Sequence, residues 1–445
     1  MRPCDFTAPA VTRRGLMRAS ALLAAGAAFA PRLAFAASSV QGGIEARFPA
    51  VTAMIDGYVK QRKVSGMLAA LGFGAGAPQT IARGLEGFDD PDAVGLDSLF
   101  RVYSMTKPVT GMAAMILVDE GKLKLDQPLS DILPKFAKMQ VQVTPDGSID
   151  DLRPAKAPIT IRNLLTHTAG LGYSIVQKGP ISKAYEAAGL VPGQVSKLPL
   201  PGLGRGTAIG SLELFADRLA GLPLVYEPGT RWSYSVALDL MGRVIEVASG
   251  QSFDGFLQQR LFDPIGMTSS YFQVPPSELH RLSTNYGILK GVPLPIDPAE
   301  ASIFADRPAF PMGGAGLVSS PRDYDRFLTM IANYGALDGK RVMSEAAVRL
   351  GTSNLLPAGA TTQGTFADSA GFGAGGRVGL GEQAGTYGWG GAAGTVALVD
   401  LKRGLRASLF TQYMPSEAYP VHRDFPEAVV ADLKAQGVRA AAPAA

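Results

Sequence analysis

The chain has 445 residues, 47% of them hydrophobic, with 42 Lys and Arg against 38 Asp and Glu and an isoelectric point near 9.0. That length suits two or three domains around a large apolar core, and no apolar run beyond the N-terminus is long enough for a membrane span. One cysteine, Cys4, excludes a disulfide framework and a cysteine-built metal site.

The N-terminus reads as a leader. Thr12-Arg13-Arg14-Gly15-Leu16-Met17 has the form of a twin-arginine export signal, the apolar run 19–30 is too short to span a bilayer, and Ala34-Phe35-Ala36 offers a small-x-small cleavage pattern. Residues 1–36 are therefore expected to be removed as a signal peptide, delivering a periplasmic or secreted protein. Five arginines and Asp5 leave with them, so 37 basic and 37 acidic residues remain of the 42 and 38. The basic isoelectric point belongs to the leader, and no nucleic-acid footprint is left.

Residues 44–61 read as an amphipathic helix, and 67–73 and 80–82 as strands. Residues 99–103 lead into Ser104-Met105-Thr106-Lys107, which opens a helix. Val109, Met112, Ala113, Ile116 and Leu117 fall on one side of it, Pro108 fits near its start, and Gly121-Lys122 stops it. A loop-rich region begins at 126, with a small excursion over 138–157 that turns at Pro145-Asp146-Gly147. A short helix over 161–165, capped by Thr160, runs into Thr166-His167-Thr168-Ala169-Gly170-Leu171-Gly172-Tyr173. Residues 178–208 show no clear period and read either as a flap over a site or as a long surface loop.

Helices resume over 211–220 and 252–262. Between them, Arg231-Trp232-Ser233-Tyr234-Ser235 precedes a helix with apolar residues from Ala237 to Ala248, ended by Ser249-Gly250. Residues 272–312 read as proline-rich and irregular. Gly313-Gly314-Ala315-Gly316-Leu317 leads to a helix over 321–334. The C-terminal part reads as strands at 372–378, 386–389, 395–400 and 405–412, the last two joined at Lys402-Arg403-Gly404. A helix over 424–436 follows. The expected architecture is a mixed α/β (α+β) fold. One sheet domain comes from residues 37–125 and 313–438, a mostly helical insert from 126–312, and a frayed tail from 439–445.

Ser104 and Lys107 stand one helical turn apart on one face. A serine hydroxyl is a weak nucleophile and needs an adjacent base. A lysine serves only where burial and the positive end of a helix favour loss of its proton.

Four motifs in order carry a resemblance. Ser104-Met105-Thr106-Lys107, Leu164-Leu165-Thr166-His167-Thr168-Ala169-Gly170-Leu171, Tyr234-Ser235 and Trp389-Gly390-Gly391 resemble those of serine β-lactamase-related hydrolases, over about residues 45–435. That superfamily includes class C β-lactamases, D-alanyl-D-alanine carboxypeptidases and family VIII carboxylesterases. The resemblance implies an antiparallel sheet flanked by helices with an inserted helical domain, and a site between the two. It implies that Ser104 forms an acyl-enzyme with Lys107 and Tyr234 as shared general base and acid, the charge being left open between them. Backbone N–H groups of Ser104 and Ala392 would form the oxyanion hole. Trp389, Gly390 and Gly391 would line the substrate pocket with Tyr173, which is either a wall or a helper of the nucleophile. No metal and no cofactor is implied.

Two departures select among relatives. Penicillin-acting members carry a cation where this chain has Trp389, and β-lactamases of this type carry an Asn where it has Val236. Both favour a neutral ester over an anionic β-lactam, as in family VIII esterases. The expected function is therefore a serine carboxylesterase for short to medium acyl chains, acting on a small molecule with no nucleic-acid partner. The rivals are a class C-like β-lactamase or D-Ala-D-Ala carboxypeptidase, an acyltransferase, and a non-catalytic penicillin-recognising sensor. His167 reads as a structural hydrogen-bonder, and His280 and His422 as lying in irregular or surface-like stretches. The chain has no G-x-S-x-G elbow and no H-E-x-x-H. Trp232 reads as packing, and Asp239 as turned from Tyr234 into an ion pair.

Overall fold

The computed structural model describes residues 43–191, 193–198 and 209–437. Residues 1–42, which include the expected leader and Cys4, residues 199–208 of the flap-or-loop segment and the expected tail over 439–445 lie outside the described residues.

A short helical turn, Ile44–Arg47, precedes helix α1, Pro49–Lys60. The single helix expected over 44–61 breaks at Phe48, whose φ of −127° and ψ of 62° leave helical space, as a residue before proline is pressed to do. Strands β1 (Gly66–Phe73) and β2 (Gln79–Gly84) follow. Helix α2, Thr106–Asp119, is buried at every position from Thr106 to Leu117 rather than along one stripe. Its surface of Ala, Gly and Met lets neighbours close in from all sides.

Helix α3 (Ile161–Leu165) begins with the expected cap. The Thr160 hydroxyl accepts from Asn163 N–H, and the Asn163 side chain accepts from Thr160 N–H. Residues 178–208 hold a helix the sequence did not announce, α4 (Gly179–Ala187), anchored by buried Ile181 and Tyr185. Helices α5 (Leu212–Ala220) and α6 (Ala237–Ser249) follow, α6 ending on Gly250 at φ +72°. Residues 272–312 are not wholly irregular: Asn285–Leu289 and Val292–Asp297 pair as an antiparallel hairpin. Helix α7 spans Pro321–Ala332, and a further helix, Glu345–Gly351, also went unread.

Five strands then follow: β3 (Gly371–Phe372), β4 (Arg377–Val378), β5 (Thr386–Gly390), β6 (Val396–Asp400) and β7 (Leu405–Phe410). The one strand expected over 372–378 is thus two, folded at a turn where Gly373 N–H donates to Gly376 C=O at 2.8 Å. Helix α8, Val421–Ala435, comes last.

The sheet runs β3-β4-β5-β6-β7-β1-β2 with antiparallel neighbours. Strands from both ends of the chain meet at β1 and β7, where Leu68 lies opposite Phe410. Strand alternation sorts β1 between two cores. Met67, Ala69 and Leu71 face Val51, Ile55, Phe425 and Val429 of α1 and α8, while Leu68 and Ala70 join the core around α2. Each large side chain so buried contributes about 1.5–3 kcal/mol. Arg406 of β7 is fully buried and meets Asp325 of α7 at 2.9 Å. Among the described residues no helix is long and apolar enough to cross a membrane.

Candidate active site

Ser104 does not sit in α2 itself. It occupies a single tight turn, Tyr103–Met105, just ahead of the helix. Tyr103 takes φ +41° there, a left-handed conformation that costs a bulky residue about 1–3 kcal/mol and persists only where its surroundings hold it. Those surroundings are on both sides. Upstream, the buried Arg101 guanidinium meets Asp297 at 2.6 Å and donates to Asp297 C=O and the Ser302 hydroxyl, each at 3.0 Å. Downstream, Met105 C=O accepts from the Tyr324 hydroxyl at 2.9 Å, and the Thr106 hydroxyl accepts from Leu317 N–H at 3.1 Å.

Ser104 is half-buried. Its Oγ accepts from Lys107 Nζ at 3.2 Å and from the Tyr234 hydroxyl at 2.7 Å. Lys107 is fully buried. Its Nζ also donates to Gly314 C=O at 2.7 Å and lies 4.6 Å from the centre of the Tyr234 ring.

Tyr234 arrives on the loop before α6, held by the Thr166–Tyr173 run. Ser233 N–H donates to His167 C=O at 2.9 Å, and Val236 N–H to Gly172 C=O at 3.3 Å. His167 has φ +54° and stands 3.0 Å from the Ser235 hydroxyl through Nδ1. Burial, then Lys107, hold its imidazole well below the ordinary value, so it stays neutral and structural. Trp232 stacks on Tyr234 at 14°.

Trp389 and its neighbours come from the end of β5. The Trp389 indole N–H donates to the Tyr234 hydroxyl oxygen at 3.3 Å, a contact the sequence did not suggest. A Cβ on Gly391 would stand 2.3 Å from Val102 C=O. Only glycine allows β5 to press this close to the segment that carries Ser104. Gly391 N–H is used by Thr395 C=O at 2.7 Å, whereas Ala392 N–H has no hydrogen-bond partner among the described residues. His422 is exposed, but its Nε2 stands 3.0 Å from Thr395 C=O, beside Gly390. It braces this turn and is not remote from the site.

Tyr173 is buried with its ring 5.4 Å from that of Tyr234. Burial, then the fields of Asp239 and Tyr234, push its phenol well above the ordinary value, so it keeps its proton. Phe366, exposed, meets the Tyr234 ring edge-on at 5.9 Å. Among the described residues, Asp239 makes no ion pair by direct contact, contrary to the expected pairing. Its Oδ1 accepts from Gly314 N–H at 2.8 Å.

The beta-lactamase family model matches residues 51–431, and the chain belongs to that family of serine hydrolases. Esterase EstB of Burkholderia gladioli is 31% identical over 387 residues, 81% of this chain and 88% of EstB. Protein Rv1367c of Mycobacterium tuberculosis is 37% identical over 273 residues, 61% of this chain and 63% of Rv1367c, just under two thirds of that protein. The solved structure of EstCE1, described as a hydrolase with promiscuous acyltransferase activity, shares the fold. Its TM-score is 0.69 at 24% identity, over 86% of this chain and 98% of that one.

Proposed function

We propose that the chain is a carboxylesterase for small neutral esters with short to medium acyl chains, working through an acyl-enzyme on Ser104. The observation that carries this is the Ser104 hydroxyl held between Lys107 Nζ at 3.2 Å and the Tyr234 hydroxyl at 2.7 Å. Ser104 Oγ attacks the ester carbonyl carbon while its proton passes to the Lys107–Tyr234 pair. The oxyanion accepts from Ser104 and Ala392 N–H, an arrangement in which each donor typically lowers the barrier by about 3–4 kcal/mol. The pair then returns the proton to the departing alkoxide. Water, deprotonated by the same pair, cleaves the acyl-serine. Trp389 supports a neutral substrate, since it presents an indole where penicillin-acting relatives present a cation.

The purified protein should cleave p-nitrophenyl butyrate and take up a fluorophosphonate on Ser104, and Ser104→Ala should do neither. Ester cleavage surviving in that variant removes Ser104 from the role. Nitrocefin turnover rivalling ester cleavage moves the reading to a β-lactamase.

Acyl transfer is the second reading, favoured by the activity stated for EstCE1. In it an alcohol replaces water in the second step, and product analysis with an added acceptor alcohol separates the two. Export through residues 1–36 belongs to the same proposal. Replacing Arg13 and Arg14 together by Lys should keep the protein in the cytoplasm.

A further inference from the structure

Asp239 lies in the first turn of α6, nearly fully buried, with no role in the chemistry above. Its Oδ1 accepts from Gly314 N–H at 2.8 Å, and the C=O of the same residue accepts from Lys107 Nζ at 2.7 Å. The carboxylate and the amine thus grip Gly314 from opposite ends. Just before it, Gly313 C=O accepts from the Thr110 hydroxyl at 2.7 Å, so α2 and α6 together fix this backbone. The fit is close: a Cβ on Gly314 would stand 2.5 Å from Asp239 Oδ2. That second oxygen has no hydrogen-bond partner among the described residues. A buried carboxylate oxygen left this way is costly unless a nearby charge offsets it. Lys107 pulls the Asp239 carboxyl down, and Tyr173 lies in the field of both Asp239 and Tyr234. His167 also lies in the field of Lys107.

We propose that Asp239 is a positioning residue for the Ser104 chemistry: through the Gly314 peptide it aims Lys107 Nζ at Ser104, and its negative charge stabilises the positive charge that builds on the Lys107–Tyr234 pair as that pair takes the Ser104 proton. This rests on the reading of Ser104 as nucleophile. Burial pushes the Asp239 carboxyl up to about 6, against the pull of Lys107 and Gly314 N–H. As pH falls through that value the carboxylate is neutralised, this stabilisation is lost, and the rate declines. An acid limb is therefore expected near pH 6.

Asp239→Asn keeps the shape and cannot titrate. With p-nitrophenyl butyrate its kcat should fall at least tenfold with KM within twofold, and the acid limb should vanish while circular dichroism and melting stay near those of the unaltered protein. Glu86→Gln is the control. It removes another carboxyl that burial raises, to about 7, one bonded to Ser98 rather than to this cluster, and it should keep the limb. An Asp239→Asn variant with the original kcat and limb overturns the proposal, and so does a Glu86→Gln variant that has lost the limb. Should Asp239→Asn not fold, the profiles of the unaltered protein and Glu86→Gln decide: the same limb in both supports the proposal, and its absence from either sinks it. Fluorophosphonate labelling keeps the two readings apart. No label on Ser104 in the unaltered protein removes the nucleophile, whereas equal labelling rates and pH profiles with and without Asp239 remove only the positioning role.

Discussion

The indole N–H of Trp389 donates to the hydroxyl oxygen of Tyr234 at 3.3 Å, and that same hydroxyl reaches Ser104 at 2.7 Å. The indole proposed to favour neutral substrates is therefore also tied to the phenol proposed to move the Ser104 proton. On the proposed function, one side chain links what the pocket admits to how Ser104 is activated.

Trp389→Phe keeps an aromatic wall and removes the donor. A hydrogen bond is worth about 0.5–1.5 kcal/mol net, and 1.4 kcal/mol is tenfold in rate. The kcat for p-nitrophenyl butyrate should fall about two- to tenfold with KM little changed. A large rise in KM with unchanged kcat would assign the indole to binding alone.

Gly391→Ala tests the close approach of β5. The added Cβ meets Val102 C=O at 2.3 Å, so the turn bearing Ala392 must move away from Ser104. Losing one oxyanion donor costs about 10²–10³ in kcat, and fluorophosphonate labelling of the folded variant should slow by a similar factor. Labelling at the original rate would show that Ala392 N–H takes no part.

Asp297→Asn leaves the Arg101 guanidinium buried without its counter-charge. Breaking such a pair from one side costs about 3–5 kcal/mol. Urea unfolding should show a midpoint lowered accordingly, and ester activity should fall with it because Arg101 braces the turn before Ser104.

Glu86 gives a pH-dependent stability. Burial raises its carboxyl to about 7 in the folded chain, from an ordinary value of 4.5. Below 4.5 both states hold the proton and no cost arises. Between 4.5 and 7 the unfolded chain releases it first, so stability falls as pH rises, and above 7 the full cost remains. Glu86→Gln should therefore be stabilised by roughly 1–3 kcal/mol at pH 8, the gain fading towards pH 4.5 in thermal melts.

Local chemistry was legible in the sequence. Thr160 as a cap, Gly250 as a stop and the Ser104–Lys107 spacing each depend on neighbours within a turn or two, and each stands as read. Contacts across the chain were not. Nothing near Asp239 announces that Gly314 will rest on it, and an acidic residue in a helix's first turn reads as ordinary. The hairpin at 285–297 was hidden by Pro293 and Pro295, which break strand patterning yet are tolerated on an edge strand. Helix α2 read as one-sided because periodicity reports the apolar positions, not that small residues between them are covered too.

The pairing of β1 with β7 bears on how the molecule is made. On the ribosome, the segment bearing the hydroxyl emerges early, while the strand that flanks β1 emerges among the last. A polypeptide cut short before Leu405 leaves one edge of β1 unsatisfied and sticky. Prematurely terminated products should then be prey for proteases rather than sluggish catalysts.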